Sequence, residues 1–258
     1  MCLITFQLQE HPVYKLILAS NRDESYERPT AAASFWQDYP YILAGRDLLQ
    51  KGTWLGITKA GRFAALTNVH DHSRKLPTHP VSRGKIIKDY LISNQPASVF
   101  LANLQKNQSN YVGFNLLVGD IDHFWHFNNL TNQITSLPSG MHGLSNAGLN
   151  DPWPKVVKGK AYIQDFSSKH EPASPSDLLT AFADTTTVSN KNEVPWLSTE
   201  DPIEFESQNS QIFIKTPKYG TVSTTILLVD HNNNVTFIER SYNKEGISGE
   251  VHYSFKIQ

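Results

Sequence analysis

The chain has 258 residues, 39% hydrophobic and 11% aromatic, a formal net charge of −1 and one cysteine. That length fits one large domain or two small ones with a sizeable core. Scattered charge excludes the clustered basic footprint of a nucleic-acid binder, and a lone cysteine excludes an internal disulfide framework.

In chain order, Cys2 to Leu8 (CLITFQL) reads as a β-strand. The start has no positive n-region and reaches Glu10, His11 and Pro12 too early for a signal peptide. After that turn, Val13 to Ala19 returns as the second strand of a hairpin and runs into Ser20-Asn21-Arg22-Asp23-Glu24, a polar cluster expected at a strand end. Leu43 to Asp47 follows, then Gly52 to Ile57 and Arg62 to Asn68, a second hairpin around Lys59-Ala60-Gly61. Ser82 is placed to cap a helix through Ile92 with Ile86, Ile87, Tyr90 and Leu91 on one face, and Pro96 opens a second helix through Leu104. Strands are expected at Tyr111 to Val118, His123 to Phe127 and Gln133 to Ser136. Helices follow from Pro152 to about Phe166 and from Ser174 to Phe182. Ser189 to Pro217 reads as a surface excursion, and the chain closes with strands at Val222 to Val229, Val235 to Arg240 and Val251 to Ile257. No repeat or domain boundary is visible, so the expectation is one domain over residues 1–258. Strands at both ends and helices in the middle predict an α+β layered fold in which the two ends share a sheet. Apolar runs such as LILA and TTILLV are far shorter than the roughly 20 residues that span a bilayer, so a soluble, cytoplasmic protein is expected.

The chemistry concentrates at Cys2. Removal of Met1 would leave a thiol, reference pKa about 8.5, and an α-amine near 7.7–8.0 on one residue. A nucleophile with a base on the same residue is the chemical basis of N-terminal-nucleophile hydrolases. The other reading of Cys2 is a small hydrophobe opening a buried strand. A hairpin brings the end of its second strand level with the start of its first, which sets Asn21, Arg22 and Asp23 beside Cys2. There an Arg grips an anion or favours a thiolate, and an Asp orients the amine; the alternative is a structural ion-pair cluster with Glu24 and Arg28. Asn68 and Asn146 sit at strand or loop ends, where an amide either donates to an oxyanion or serves as a turn residue. His70, Asp71, His72 and His79 lack the spacing and fourth ligand of a zinc site, so no metal is expected.

The chain resembles the NRDE-motif family, also called the transport and Golgi organisation protein 2 family. The resemblance rests on MCLI, LILASNRDE (Leu16 to Glu24), ERP, FW (Phe35-Trp36), AGRD, GTWLGIT (Gly52 to Thr58) and GRFAALTN. It continues with SRG, GFNLLVGD, HGLSN (His142 to Asn146), PWPKV (Pro152 to Val156) and the closing YGT–STTILLVD…VTFIERS, all in order along the chain. The resemblance implies a four-layer αββα sandwich of the N-terminal-nucleophile hydrolase type. A weaker similarity to choloylglycine and penicillin V amidases implies Cys2 as nucleophile, Arg22 and Asp23 beside it, and Asn68 and Asn146 at the oxyanion. Two departures are Val222, where family members usually carry Arg, and His70, where many carry a basic residue.

Two functions follow as expectations. The first is hydrolysis of an amide or thioester by Cys2, with no cofactor required. The second, implied by the family's association with haem trafficking, acyl-coenzyme A and lipid homeostasis, is a non-catalytic carrier. In it Asn21, Arg22 and Glu24 hold a haem propionate or coenzyme A phosphate, and His142 reaches the haem iron. The expected partner in both is a small molecule rather than nucleic acid.

Overall fold

The computed structural model describes residues 2–69, 77–169, 174–187 and 210–258. Two antiparallel sheets carry the fold. In one the order is β10 (Gly140–Leu144), β1 (Cys2–Leu8), β2 (Tyr14–Ser25), β11 (Tyr219–Asp230), β12 (Asn234–Asn243) and β13 (Gly246–Lys256). The other runs β3 (Thr30–Phe35), β4 (Ile42–Asp47), β5 (Leu55–Thr58), β6 (Phe63–Asn68), β7 (Phe114–Gly119), β8 (Phe124–Asn128) and β9 (Gln133–Ser136). Both chain ends therefore share one sheet, as their sequence pattern predicts.

Alternation along each strand builds the layers. Ile4, Phe6 and Leu8 of β1 and Leu16 and Leu18 of β2 point between the sheets, onto Phe63, Leu117 and Phe124 of the facing sheet. Leu3, Ile17 and Ala19 point the other way, onto α3 (Pro154–Ser167) and α4 (Pro175–Ala181). The opposite sheet is covered by α1 (Arg83–Ile92) and α2 (Ala97–Lys106), whose Ile86, Ile87, Tyr90 and Leu101 pack on Ala64, Leu66, Phe114 and Leu116. The result is a four-layer αββα sandwich. Strands covered on both faces are largely apolar on both, so LILA reads as a continuous run and CLITFQL as one broken only by the buried Thr5 and Gln7.

The structure corrects several boundaries. Strand β2 does not end before the polar cluster but continues through it to Ser25, because β1 on one side and β11 on the other satisfy its backbone. Strand β3 is alanine-rich and β10 glycine-rich, so neither carried a strand signal; each forms by pairing with a neighbour already in place, β4 and β1 respectively. Ser82 occupies the N-cap position of α1, but its side chain makes no capping hydrogen bond. Most of the expected excursion lies outside the described residues. Its described part is not a surface loop: Ile212 and Ile214 are buried.

One close approach sets the position of α1. The Thr53 N–H donates to the Gly84 carbonyl at 3.2 Å, and a Cβ on Gly52 would lie 2.5 Å from the Gly84 carbonyl carbon. Backbone cannot swing aside as a side-chain tip can. Gly52→Ala is expected to cost about 1–3 kcal/mol, the overpacking range, read as a lower urea midpoint at unchanged slope.

Candidate active site

The β1–β2 register places Cys2 directly opposite Arg22, and Arg22 opposite Ser223 of β11. A cleft of about 310 Å³ opens there, between the ends of β1, β2 and β6 and the N-terminus of α1. Cys2, Arg22, Asp23, Glu24 and Asn68 all line it. Five residues expected from sequence to form the site are therefore brought together.

Arg22 is only 5% exposed, so it is a buried guanidinium rather than part of a solvated loop. Its carbon stacks 4.1 Å from the centroid of the Trp54 ring, and Nη1 donates to Thr30 Oγ1 at 2.9 Å. Glu24 lies 3.8 Å from Arg22 and 3.7 Å from Arg28, while Arg28 makes a closer pair with Asp47 at 2.6 Å. The cluster is partly a structural ion-pair network and partly a cleft wall.

Asp23 is buried and accepts the Thr221 hydroxyl at 2.7 Å. Burial pushes its carboxyl upward, partly offset by the Lys155 charge, the Thr221 hydrogen bond and Arg22. Asn68 lines the cleft, and its backbone carbonyl accepts from Asn146 Nδ2 at 2.9 Å. Asn146 is buried behind this contact rather than on the cleft wall. Its Oδ1 accepts from Lys155 Nζ at 3.2 Å.

Two expected ligand contacts fall elsewhere. Asn21 is wholly buried on the helix-facing side of β2, with Nδ2 donating to the carbonyls of Phe182 and Ile212 and Oδ1 accepting from Thr224. It alternates with Arg22 and so points to the opposite face. His142 pairs with Phe6, four residues along β1 from Cys2. Its ring nitrogens contact the Pro138 carbonyl and the Asn150 side chain, so it does not reach the cleft. His70, Asp71 and His72 lie outside the described residues; among the described residues no group of three or more His, Cys, Asp or Glu could hold a metal ion. Val222 sits at the bulge where the β2–β11 register shifts, between Thr221 and Ser223.

Sequence reasoning passed over three residues. Trp54 and Arg83 line the cleft, and Lys155 is completely buried beside it. Each lies in a motif already noted, GTWLGIT, SRG and PWPKV, but nothing local distinguishes a lysine that will be buried.

A second buried acid lies one row deeper. Glu239 of β12 accepts the Ala33 N–H at 2.7 Å, bridging the two sheets. Burial raises its pKa to about 7 from an ordinary 4.5, with the Ala33 and Thr225 hydrogen bonds and Arg22 acting in the opposite direction. A carboxyl with a raised folded-state pKa binds more protons folded than unfolded, so its stabilising contribution is full below about pH 4.5 and is lost as pH rises to about 7. Glu239→Gln should therefore match the parent near pH 4 and exceed it by about 3 kcal/mol at pH 8. Urea midpoints at the two pH values check this.

A family model described as Transport and Golgi organisation 2 matches residues 1–244. The human Transport and Golgi organization protein 2 homolog is 33% identical, covering 96% of this chain and 95% of that protein. The Drosophila melanogaster protein of the same name is 30% identical, over 93% and 92%. Among solved structures, penicillin V acylase from Agrobacterium tumefaciens superposes with a TM-score of 0.52 at 11% identity, covering 99% of this chain and 86% of that one. That likeness assigns the fold to the N-terminal-nucleophile hydrolase type.

Proposed function

This chain belongs to the Transport and Golgi organisation 2 family, and from that premise we propose that it is a cysteine hydrolase cleaving an amide or thioester, with Cys2 as nucleophile. The observation that carries the reading is the convergence of Cys2, Arg22, Asp23 and Asn68 on one cleft.

In this reading, loss of Met1 frees the Cys2 α-amine, which takes the thiol proton as Sγ attacks the substrate carbonyl carbon. The carbonyl π electrons move to oxygen, and the resulting oxyanion accepts from the Asn68 amide, with Asn146, buried behind Asn68, as the second donor that the family resemblance implies. Collapse restores the carbonyl and breaks the C–N or C–S bond, and the ammonium returns its proton to the departing amine or thiolate. Water, deprotonated by the same amine, then cleaves the acyl-cysteine. Asp23 orients the amine, and Arg22 holds an anionic part of the substrate.

The carrier alternative draws support from the same cleft, where Arg22, Arg28 and Arg83 stand near apolar Trp54, Leu66 and Val112. That mixture suits an acyl chain joined to an anionic group. Haem fits less well, since His142 lies away from the cleft. Calorimetric titration with palmitoyl-coenzyme A separates the readings: binding by Cys2→Ala without turnover by the parent favours the carrier.

The hydrolase reading makes Met1 removal a precondition. With p-nitrophenyl acetate as acyl probe, the amplitude of the p-nitrophenolate burst should track the fraction of chains whose N-terminal peptide lacks Met1 by mass. A full burst from chains retaining Met1 would remove the α-amine from the mechanism.

A further inference from the structure

We infer that Lys155 is a positioning residue of this site, fixing which end of the Asn146 amide faces Asn68 and Cys2; the inference rests on the hydrolase reading above. Lys155 lies in the first turn of α3, fully buried. Both circumstances oppose a cation there: the helix dipole is positive at that end, and burial disfavours the charged form. Burial does lower its pKa, while Asp23 and Cys2 act to raise it. A lysine held against two costs needs partners, and its side-chain hydrogen bond goes to Asn146 Oδ1 at 3.2 Å.

That contact orients the amide. An ammonium only donates, so the atom facing Lys155 is the amide oxygen. The Asn68 carbonyl only accepts, so the atom facing it, 2.9 Å away, is the amide nitrogen. The two partners impose the same orientation from opposite ends. One N–H of Asn146 is then used by Asn68, which leaves the second for the oxyanion that the hydrolase reading assigns to it.

A second consequence concerns Cys2 itself. The Ser145 hydroxyl lies 3.0 Å from the Cys2 carbonyl and 3.1 Å from Asn146 Oδ1. It has one proton and cannot serve both. With Lys155 donating to Oδ1, the Ser145 proton goes to the Cys2 carbonyl and holds the nucleophile's backbone. Without Lys155, the hydroxyl is drawn to Oδ1 and releases it.

The test uses two reagents on the same thiol. Acylation by p-nitrophenyl acetate develops an oxyanion and needs the Asn146 donor, whereas alkylation by iodoacetamide does not. Lys155→Met should lower the ratio of acylation to alkylation rate about 100-fold, the lower end for losing one oxyanion donor, with alkylation itself falling by a much smaller factor through the loosened Cys2 backbone and the lost charge. Asn146→Ala should lower the same ratio, and the double variant should fall no further than the worse single. Equal loss of both rates, an unchanged ratio, or additive effects in the double variant overturn the inference. If Lys155→Met does not fold, the same cycle with the milder Lys155→Gln decides by the same additivity criterion. A burst that persists in Cys2→Ala overturns the nucleophile reading and this inference with it; a burst that requires Cys2 but ignores Lys155 overturns this inference alone.

Discussion

Cys2→Ala should abolish the acyl adduct formed with p-nitrophenyl acetate, lowering the burst rate by a factor on the order of 10⁴–10⁶, as removal of a nucleophile does in comparable hydrolases. The expectation is sharp because the chain has one cysteine, so no second thiol can take over. The fold should survive. Cys2 is half-buried at the open end of β1, and the strand is held by its pairing with β2 and β10 rather than by the thiol. The check is intact mass together with the rate of p-nitrophenolate release. Equal labelling of parent and Cys2→Ala sinks the nucleophile reading.

The second large effect is on stability. Arg22→Ala should destabilise the protein by about 2–4 kcal/mol, since a desolvated cation–π contact is worth about 2 kcal/mol and a hydrogen bond to a charged group about 1.5–3 kcal/mol, not fully additively. On sequence alone this residue sits in an exposed cluster, where an ion pair is worth only about 0–1 kcal/mol. Its burial and the Trp54 stack change that magnitude. Arg22→Lys should fall between the two, because the ammonium keeps the charge but cannot stack its plane on the indole. Urea unfolding of the three proteins measures the series. A loss below about 0.5 kcal/mol for Arg22→Ala would mean that the stack and the Thr30 contact carry no stability. Ligand affinity must then be compared at conditions where each variant is fully folded.

Much of this protein was legible in the sequence for local reasons. The CLITFQL and VYKLILA runs specify a hairpin, and a hairpin's geometry alone sets Cys2 opposite Arg22. Helix α1 was readable to the residue from its apolar face. Cys2 and Asn68 were visible only as candidates, Cys2 because it follows the initiator methionine and Asn68 because it ends a strand, each with a structural alternative that the local pattern left open.

Tertiary structure decided the rest. Asn21 and Arg22 are neighbours in one motif, yet β-strand alternation sends one to the helix layer and the other to the cleft. Choosing between them requires knowing that the polar cluster stays in a strand, which depends on β11, about 200 residues away. Strands β3 and β10 carry little intrinsic preference and exist because a neighbour offers unpaired backbone. Lys155 and Glu239 look like ordinary surface charges in sequence; only the packing of α3 and the facing of the two sheets bury them. Sequence determines what a side chain can do within its own hairpin or helix turn. Burial, and with it the energetic weight of each charge, is set by contacts that local pattern does not encode.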